Sequence, residues 1–145
     1  NVADLELNLD PNLPIIPCFI GELNQAILNL IVNAAQSIAE KGDNQKKGVI
    51  TVSTRTHENC VEISVSDTGL GIDKETRDRV FDLFFTTKEA GKGTGQGLYI
   101  THRVVVEKHG GTIEFQTKEG KGTTFIVRIP RNGRTSLSDE ELMRN

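Results

Sequence analysis

Asp67 and the glycines after it are residue types suited to binding a flat ligand that offers an N–H donor. The segment 61–65 alternates apolar and polar residues, so Asp67 continues the buried face of a strand and its carboxylate should point inward. Gly69 and Gly71 let the backbone turn sharply and approach a ligand closely. A purine would suit such a site, although Asp67 could equally hydrogen-bond within its own turn.

A polar stripe runs along an otherwise apolar helix near the start of the chain. Asn29 and Asn33 lie one turn apart in it, and an amide oxygen is a suitable ligand for Mg²⁺. A solvent-facing stripe would explain the pattern as well, but Asn is a poor helix former and therefore an unexpected choice for solubility. The stripe comprises Glu22, Gln25, Asn29, Asn33, Gln36 and Glu40.

A glycine-rich segment, 91–97, ends where another helix is predicted to begin. Free backbone N–H groups at such a junction could hold phosphate. Lys88 and Lys92 add positive charge to a chain that is acidic in total. A plain glycine-rich linker is the alternative, because the spacing matches neither common phosphate-binding motif. Three phenylalanines within 81–85 precede this segment and could be core residues or a hydrophobic latch.

The elements that must position these residues follow from periodicity and turn signals. Paired strands separated by helices predict an α+β layer, with helices on one face of a mixed sheet. We expect a first strand over 5–9, a helix over 22–40 stopped by Gly42, strands over 49–55 and 61–67, a short helix opening at 73–76, a mobile loop over 81–96, a helix over 97–108, strands over 112–117 and 123–129, and a polar tail from 131.

Composition limits the class of protein. With 145 residues, 36% of them hydrophobic, the chain is predicted to form one globular domain, and its net charge of −3 favours neither nucleic acid nor an anionic membrane as main partner. We expect no direct membrane segment and no signal peptide. Cys18 and Cys60 are isolated, which is typical of a reducing, cytoplasmic compartment. Asn1 in place of Met suggests a domain cut from a longer chain.

Four segments together resemble a known family. Residues 29–34, 67–72, 81–88 and 93–98 are similar, in order, to the N box, first glycine box, F box and second glycine box of sensor histidine kinases. The resemblance covers residues 5 to 130. It implies the catalytic and ATP-binding domain, with a Bergerat-type two-layer α/β sandwich, a mixed, mostly antiparallel sheet and a flexible ATP lid.

The resemblance also implies roles for individual residues. Asp67 would bind the adenine amino group, Asn33 would be the Mg²⁺ ligand, and Asn29 would lie close to the phosphates. Lys88 would reach the terminal phosphates, so Asn29 and Lys88 are the catalytic candidates. Thr123 shares strand parity with inward residues and could support the adenine site through a water. The remaining implied ATP-binding residues are Gly69, Gly71, Ile72, Thr87, Gly93, Thr94, Gly95, Gln96, Gly97 and Leu98.

The implied reaction is transfer of the γ-phosphoryl group of Mg-ATP to a histidine on a separate dimerisation domain. ATP-hydrolysing relatives carry a Glu at the position of Asn29, and an amide cannot act as a general base near neutral pH. Serine-phosphorylating relatives usually lack the F box, and a nucleotide-binding module without transfer activity stays possible. Two departures from the family pattern are Gln96, where Leu is commoner, and Gln36, where many members carry Lys or Arg.

The partners implied are the protein's own phosphoacceptor domain and a response regulator, with residues 1–130 as the catalytic domain and 131–145 as a tail or linker. His57, His102 and His109 are each expected at the surface and not as the phosphoacceptor, which should lie outside this sequence. The isolated domain is expected to be a cytoplasmic monomer.

Overall fold

A computed structural model describes residues 3–42, 47–82 and 97–132. Its elements follow the predicted order. They are strand β1 (Ala3–Asn8), helix α1 (Ile20–Lys41), strands β2 (Gly48–Thr56) and β3 (Cys60–Asp67), a 3₁₀ turn at Arg77–Arg79, helix α2 (Gly97–His102), which continues as a π-helix over Arg103–Lys108, and strands β4 (Thr112–Lys118) and β5 (Gly122–Pro130).

The five strands form one sheet in the order β1-β2-β3-β5-β4. β1 pairs in parallel with β2, and every other pairing is antiparallel. The predicted α+β fold with a mixed, mostly antiparallel sheet is therefore confirmed.

One face of the sheet packs against the helices and forms the core. In β5 every second side chain from Thr123 to Ile129 is buried, as the period of a strand requires. The helices contribute apolar residues at helical spacing. The central cluster is Leu23, Leu30, Ala34, Ile38, Ile50, Val52, Val65, Val105, Phe125, Val127 and Ile129.

α1 is a helix because its buried residues recur every three or four positions, which places them on one stripe against the sheet. It ends at Lys41, and Gly42 takes the left-handed conformation (φ 66°) that stops a helix, as predicted. The residues of the polar stripe are half-buried or exposed.

The short helix predicted to open at Asp73 is wrong in extent. Asp73 Oδ1 does accept the Thr76 N–H at 3.0 Å, but only a 3₁₀ turn follows at Arg77–Arg79. That turn contains no buried residue, so no apolar stripe is available to stabilise a longer helix. Residues 83–96 of the predicted loop and ATP lid lie outside the described residues. Of the three phenylalanines of the predicted latch, only Phe81 is described.

The expectation of three surface histidines is wrong for His109. Its side chain is buried, Nδ1 lies 2.8 Å from the Val104 carbonyl, and Nε2 accepts the Phe19 N–H at 2.9 Å. The ring links the start of α1 to the end of the π-helix, a contact that only the tertiary fold creates. His57 is exposed, and His102 is half-buried against the ring of Phe81.

Among the residues that the structure describes, no helix is both long and apolar enough to cross a membrane.

Candidate nucleotide-binding site

The Asp67 carboxylate lies at the end of β3, on the helix side of the sheet. The residue is only 6% exposed, which confirms that it continues the buried face of the strand. Its Oδ1 accepts the Gly69 N–H at 2.8 Å, so the hydrogen bond within its own turn is also present. Burial raises the pKa of Asp67, while the Gly69 and Thr123 backbone N–H groups and the charge of Lys41 oppose that rise.

Helix α1 holds one side of the turn that follows Asp67, which we call the Asp67 loop (residues 68–72). Ser37 Oγ accepts the Leu70 N–H at 2.9 Å, and Lys41 Nζ donates to the Thr68 carbonyl at 3.3 Å. A Cβ at Gly69 would overlap the Ser37 side chain. The loop therefore lies against the helix closely enough to require glycine at that position.

The β4–β5 turn (residues 118–122) holds the other side of the Asp67 loop. The Gly120 N–H donates to the Leu70 carbonyl at 2.7 Å. Gly71 (φ 76°) and Gly122 (φ 139°) have left-handed backbones, and a Cβ on either would overlap backbone atoms, those of Lys118 and Asp67 respectively. Two backbone segments thus meet at a distance that only glycine permits.

Thr123 lies beside Asp67, because the two residues are paired in the β3–β5 register. It is 5% exposed, and its hydroxyl lies 2.9 Å from that of Thr117. Thr124 points to the opposite face, where its hydroxyl meets Ser66 Oγ at 2.8 Å. The choice of Thr123 over its neighbour as the inward residue is therefore confirmed.

Asn29 and Asn33 are half-buried on α1. Asn29 Oδ1 accepts a hydrogen bond from Gln25 Nε2 at 3.0 Å. Gly97, at the start of α2, lies beside this stripe, since a Cβ there would lie 4.0 Å from Asn29 Cβ. The first residue of α2 is thus brought next to the amide stripe of α1.

The structure places Gly97 beside Asn29 of α1, and it places the Asp67 loop against the same helix at Ser37 and Lys41. Ile72 and Leu98 are partly buried against the core at its edge. Six predicted residues lie outside the described part of the chain: Thr87, Lys88, Gly93, Thr94, Gly95 and Gln96.

Sequence reasoning missed Ser37, Thr117 and Gly122, which hold the Asp67 loop. The sequence does mark Gly122, because it is the second glycine of a tight turn predicted between two strands. No local pattern marks the hydroxyls of Ser37 and Thr117, because their hydrogen-bond partners are 33 and 45 residues away in the chain.

These residues fit a purine nucleotide with Mg²⁺. The buried carboxylate is an acceptor for a base, and the amide oxygens are hard ligands of the kind Mg²⁺ takes. Within residues 3–42, 47–82 and 97–132, no group of three or more His, Cys, Asp or Glu could hold a metal by itself.

Residues 20–133 match the family of histidine kinase-, DNA gyrase B- and HSP90-like ATPases. The chain belongs to this family, and its fold is the Bergerat fold. Its relatives identify it further as a histidine kinase-type ATPase catalytic domain of sensor kinases. Sensor histidine kinase ZraS of Escherichia coli is 40% identical over 134 residues, which cover 91% of this chain and 27% of that protein.

Solved structures give the same assignment. The catalytic domain of histidine kinase ThkA superposes with a TM-score of 0.74 at 30% identity, covering 90% of this chain and 81% of that one. Full-length ShkA in complex with AMPPNP superposes with a TM-score of 0.74 at 27% identity, covering 90% and 26%. ThkA in complex with response regulator protein TrrA gives a TM-score of 0.69 at 26% identity, covering 90% and 34%. The chain spans about a quarter of ZraS and of full-length ShkA.

Proposed function

We propose that this domain binds Mg-ATP at the Asp67 site and donates its γ-phosphoryl group to a histidine on a separate dimerisation domain. The observation that carries the proposal is the buried Asp67 carboxylate, fixed at the end of β3 by the Gly69 N–H. A carboxylate has two oxygens that can each accept more than one hydrogen bond, and the Gly69 N–H uses only part of this capacity. An adenine amino group would donate to the acceptor capacity that remains.

Each part of the ligand has its own set of residues. Asp67, Gly69, Gly71 and Ile72 would hold the base, with Thr123 behind it, and Asn33 would bind Mg²⁺. Asn29, Gly97 and Leu98 would face the phosphates, together with Thr87, Lys88, Gly93, Thr94, Gly95 and Gln96. ATP, when bound, supplies the phosphoryl group, and this chain binds and orients it.

Phosphoryl transfer is favoured over hydrolysis by the residue at position 29. The Asn29 amide has no basicity with which to activate water, and its oxygen already accepts a hydrogen bond from Gln25. The nearest glutamate along the same stripe, Glu22, is paired with Lys108 at 2.9 Å. A general base for the acceptor imidazole would come from the partner domain.

The proposed domain covers residues 1–130, with 131–145 as a tail or linker. This division is supported by β5, which ends at Pro130. The proposed partners are the protein's own dimerisation domain and, downstream, a response regulator. The ThkA–TrrA complex supports the second partner by similarity. We propose a cytoplasmic location, because that is where ATP and response regulators occur.

The test is incubation of the chain with γ-labelled ATP and Mg²⁺, with and without the dimerisation domain of the same protein. We expect acid-labile, alkali-stable label on the added domain only, and slow phosphate release by the chain alone. Fast release without the added domain would contradict the proposal and favour hydrolysis.

A matched pair of variants checks the site. Asn33→Ala should abolish transfer, because it removes the proposed Mg²⁺ ligand. Asn24→Ala removes an exposed amide from the same helix and should leave transfer unchanged. Equal loss in both variants would point to damage of the helix, and equal activity would exclude Asn33 as a ligand.

A further inference from the structure

The Thr117 hydroxyl lies where the β4 strand, the β5 strand and the Asp67 loop meet. It accepts the Ile72 N–H at 2.8 Å, and it lies 3.2 Å from the Gly122 carbonyl oxygen and 2.9 Å from the Thr123 hydroxyl. No other hydroxyl of the described residues contacts three partners in this way near Asp67. Thr117 therefore touches both the loop and the residue paired with Asp67.

Only one assignment of hydroxyl protons satisfies all three contacts. A threonine hydroxyl has one proton and two lone pairs. The Gly122 carbonyl can only accept, so it must take the Thr117 proton, and the Ile72 N–H occupies one Thr117 lone pair. The second lone pair remains for the Thr123 hydroxyl, which must donate its proton to Thr117.

This assignment fixes what Thr123 offers to a ligand. With its proton directed at Thr117, the Thr123 oxygen presents lone pairs only. Asp67, its neighbour in the β3–β5 register, is an acceptor as well. The two side chains together form an acceptor pair, which suits a base edge that donates.

We propose that Thr117 is a positioning residue that sets base selectivity, by orienting the Thr123 hydroxyl and by fixing the Ile72 end of the Asp67 loop. This rests on the proposed function, in that the ligand is a purine nucleotide. Adenine carries an amino group at position 6 of the base, where guanine carries a carbonyl oxygen. In a pose that sets position 6 against both side chains, each acceptor takes one proton of the adenine amino group, whereas guanine would present its oxygen to both acceptors.

The test compares Thr117→Val with wild type in the nucleotide-free chain and in titrations with Mg-ADP and Mg-GDP. Valine keeps the shape and removes the hydroxyl, so Thr123 is free to donate. We expect the ratio of the GDP and ADP dissociation constants to fall roughly tenfold. We also expect faster hydrogen exchange of the Ile72 amide without any nucleotide, because its acceptor is gone.

Two controls separate positioning from a general structural effect. Thr117→Ser restores the hydroxyl and should restore both the ratio and the protection of Ile72. Thr124→Val removes a hydroxyl of the next strand, bonded to Ser66 on the opposite face, and should change neither. If Thr117→Val does not fold, Thr117→Cys takes its place, since a thiol is a weak hydrogen-bonding group of similar size.

The outcomes are distinct. An unchanged selectivity ratio in Thr117→Val, or a loss in Thr117→Ser as large as in the valine variant, overturns the positioning role and leaves the proposed function intact. Absence of ADP binding by the wild-type chain overturns both.

Discussion

Asp67→Asn is the substitution that separates binding from stability most sharply. The amide has the same shape, and its oxygen can keep the hydrogen bond from the Gly69 N–H, which is 2.8 Å long in the structure. The other position becomes an NH₂ donor. A ligand that presents its own N–H would then face a donor, and two donors cannot pair.

The expected loss follows from the burial of the site. Residue 67 is 6% exposed, so water cannot readily satisfy the unpaired donors. An unsatisfied buried donor costs roughly 1–3 kcal/mol. Since about 1.4 kcal/mol corresponds to a factor of ten, the dissociation constant for Mg-ADP should rise roughly fivefold to 150-fold.

Stability should respond differently. Burial raises the pKa of Asp67, so the folded protein holds the ionised carboxylate less well than the unfolded chain does. Near neutral pH this works against folding, and the neutral amide removes the cost. We therefore expect a free energy of unfolding within about 1 kcal/mol of wild type, because this gain offsets the weakened interactions with the Gly69 and Thr123 backbone N–H groups.

Calorimetric titration with Mg-ADP and urea denaturation give the two quantities. Asp10→Asn is the matched control, because Asp10 follows β1 by two residues and also accepts the N–H two residues on, that of Asn12 at 2.9 Å. It should leave the affinity for ADP unchanged. Equal affinity of wild type and Asp67→Asn, or an equal loss in Asp10→Asn, would refute the assignment of Asp67 as the adenine acceptor.

Three further predictions follow from particular contacts. The affinity for adenosine, measured by NMR titration, should fall as the pH is lowered through the raised pKa of Asp67, because the protonated carboxyl loses an acceptor. The fall should begin above the ordinary aspartate pKa of about 3.9. A fall of the same size in Asp67→Asn would contradict this. Gly122→Ala should lower the free energy of unfolding, measured in urea, by more than about 4 kcal/mol, because its Cβ would overlap the Asp67 backbone. Gly120 has open space around it, so Gly120→Ala should cost only about 1–2 kcal/mol of backbone strain. Equal costs would contradict the close approach at Gly122. His109→Leu should lower the free energy of unfolding by about 2–4 kcal/mol, because it leaves the Phe19 N–H and the Val104 carbonyl unpaired. His57→Leu, at the surface, should change the free energy of unfolding by less than about 0.5 kcal/mol. The reverse order would be inconsistent with the buried ring of His109.

The local patterns in the sequence were sufficient to predict the elements and the inward direction of Asp67. The period of two in β3 fixes which residues share a face, and Asp67 falls in phase with Val61 and Val65, both buried. The same reasoning placed Thr123 on the helix side. These predictions depend on neighbours a few residues away, which is why the sequence alone contained them.

The supports of the site could not be predicted, because they are contacts between distant segments. Thr117 and Ser37 meet the Asp67 loop from β4 and α1, and no local pattern indicates that they do. His109 is buried for the same reason, since its partner Phe19 is 90 residues away. At Asp73 the predicted capping box is wrong, because the 3₁₀ turn begins only after Thr76, which makes no side-chain capping bond, and no apolar face supports a longer helix.

The measurement that tests the central claim most directly is a ¹H–¹⁵N NMR titration of the chain with Mg-ADP. We predict that the largest shifts fall on the Gly69 and Ile72 backbone amides and on the side-chain amides of Asn29 and Asn33. The amides of Ser66 and Thr124 report on the opposite face of the sheet and should move least. Shifts concentrated on that opposite face, or no shifts at all, would contradict a nucleotide site between α1 and the Asp67 loop.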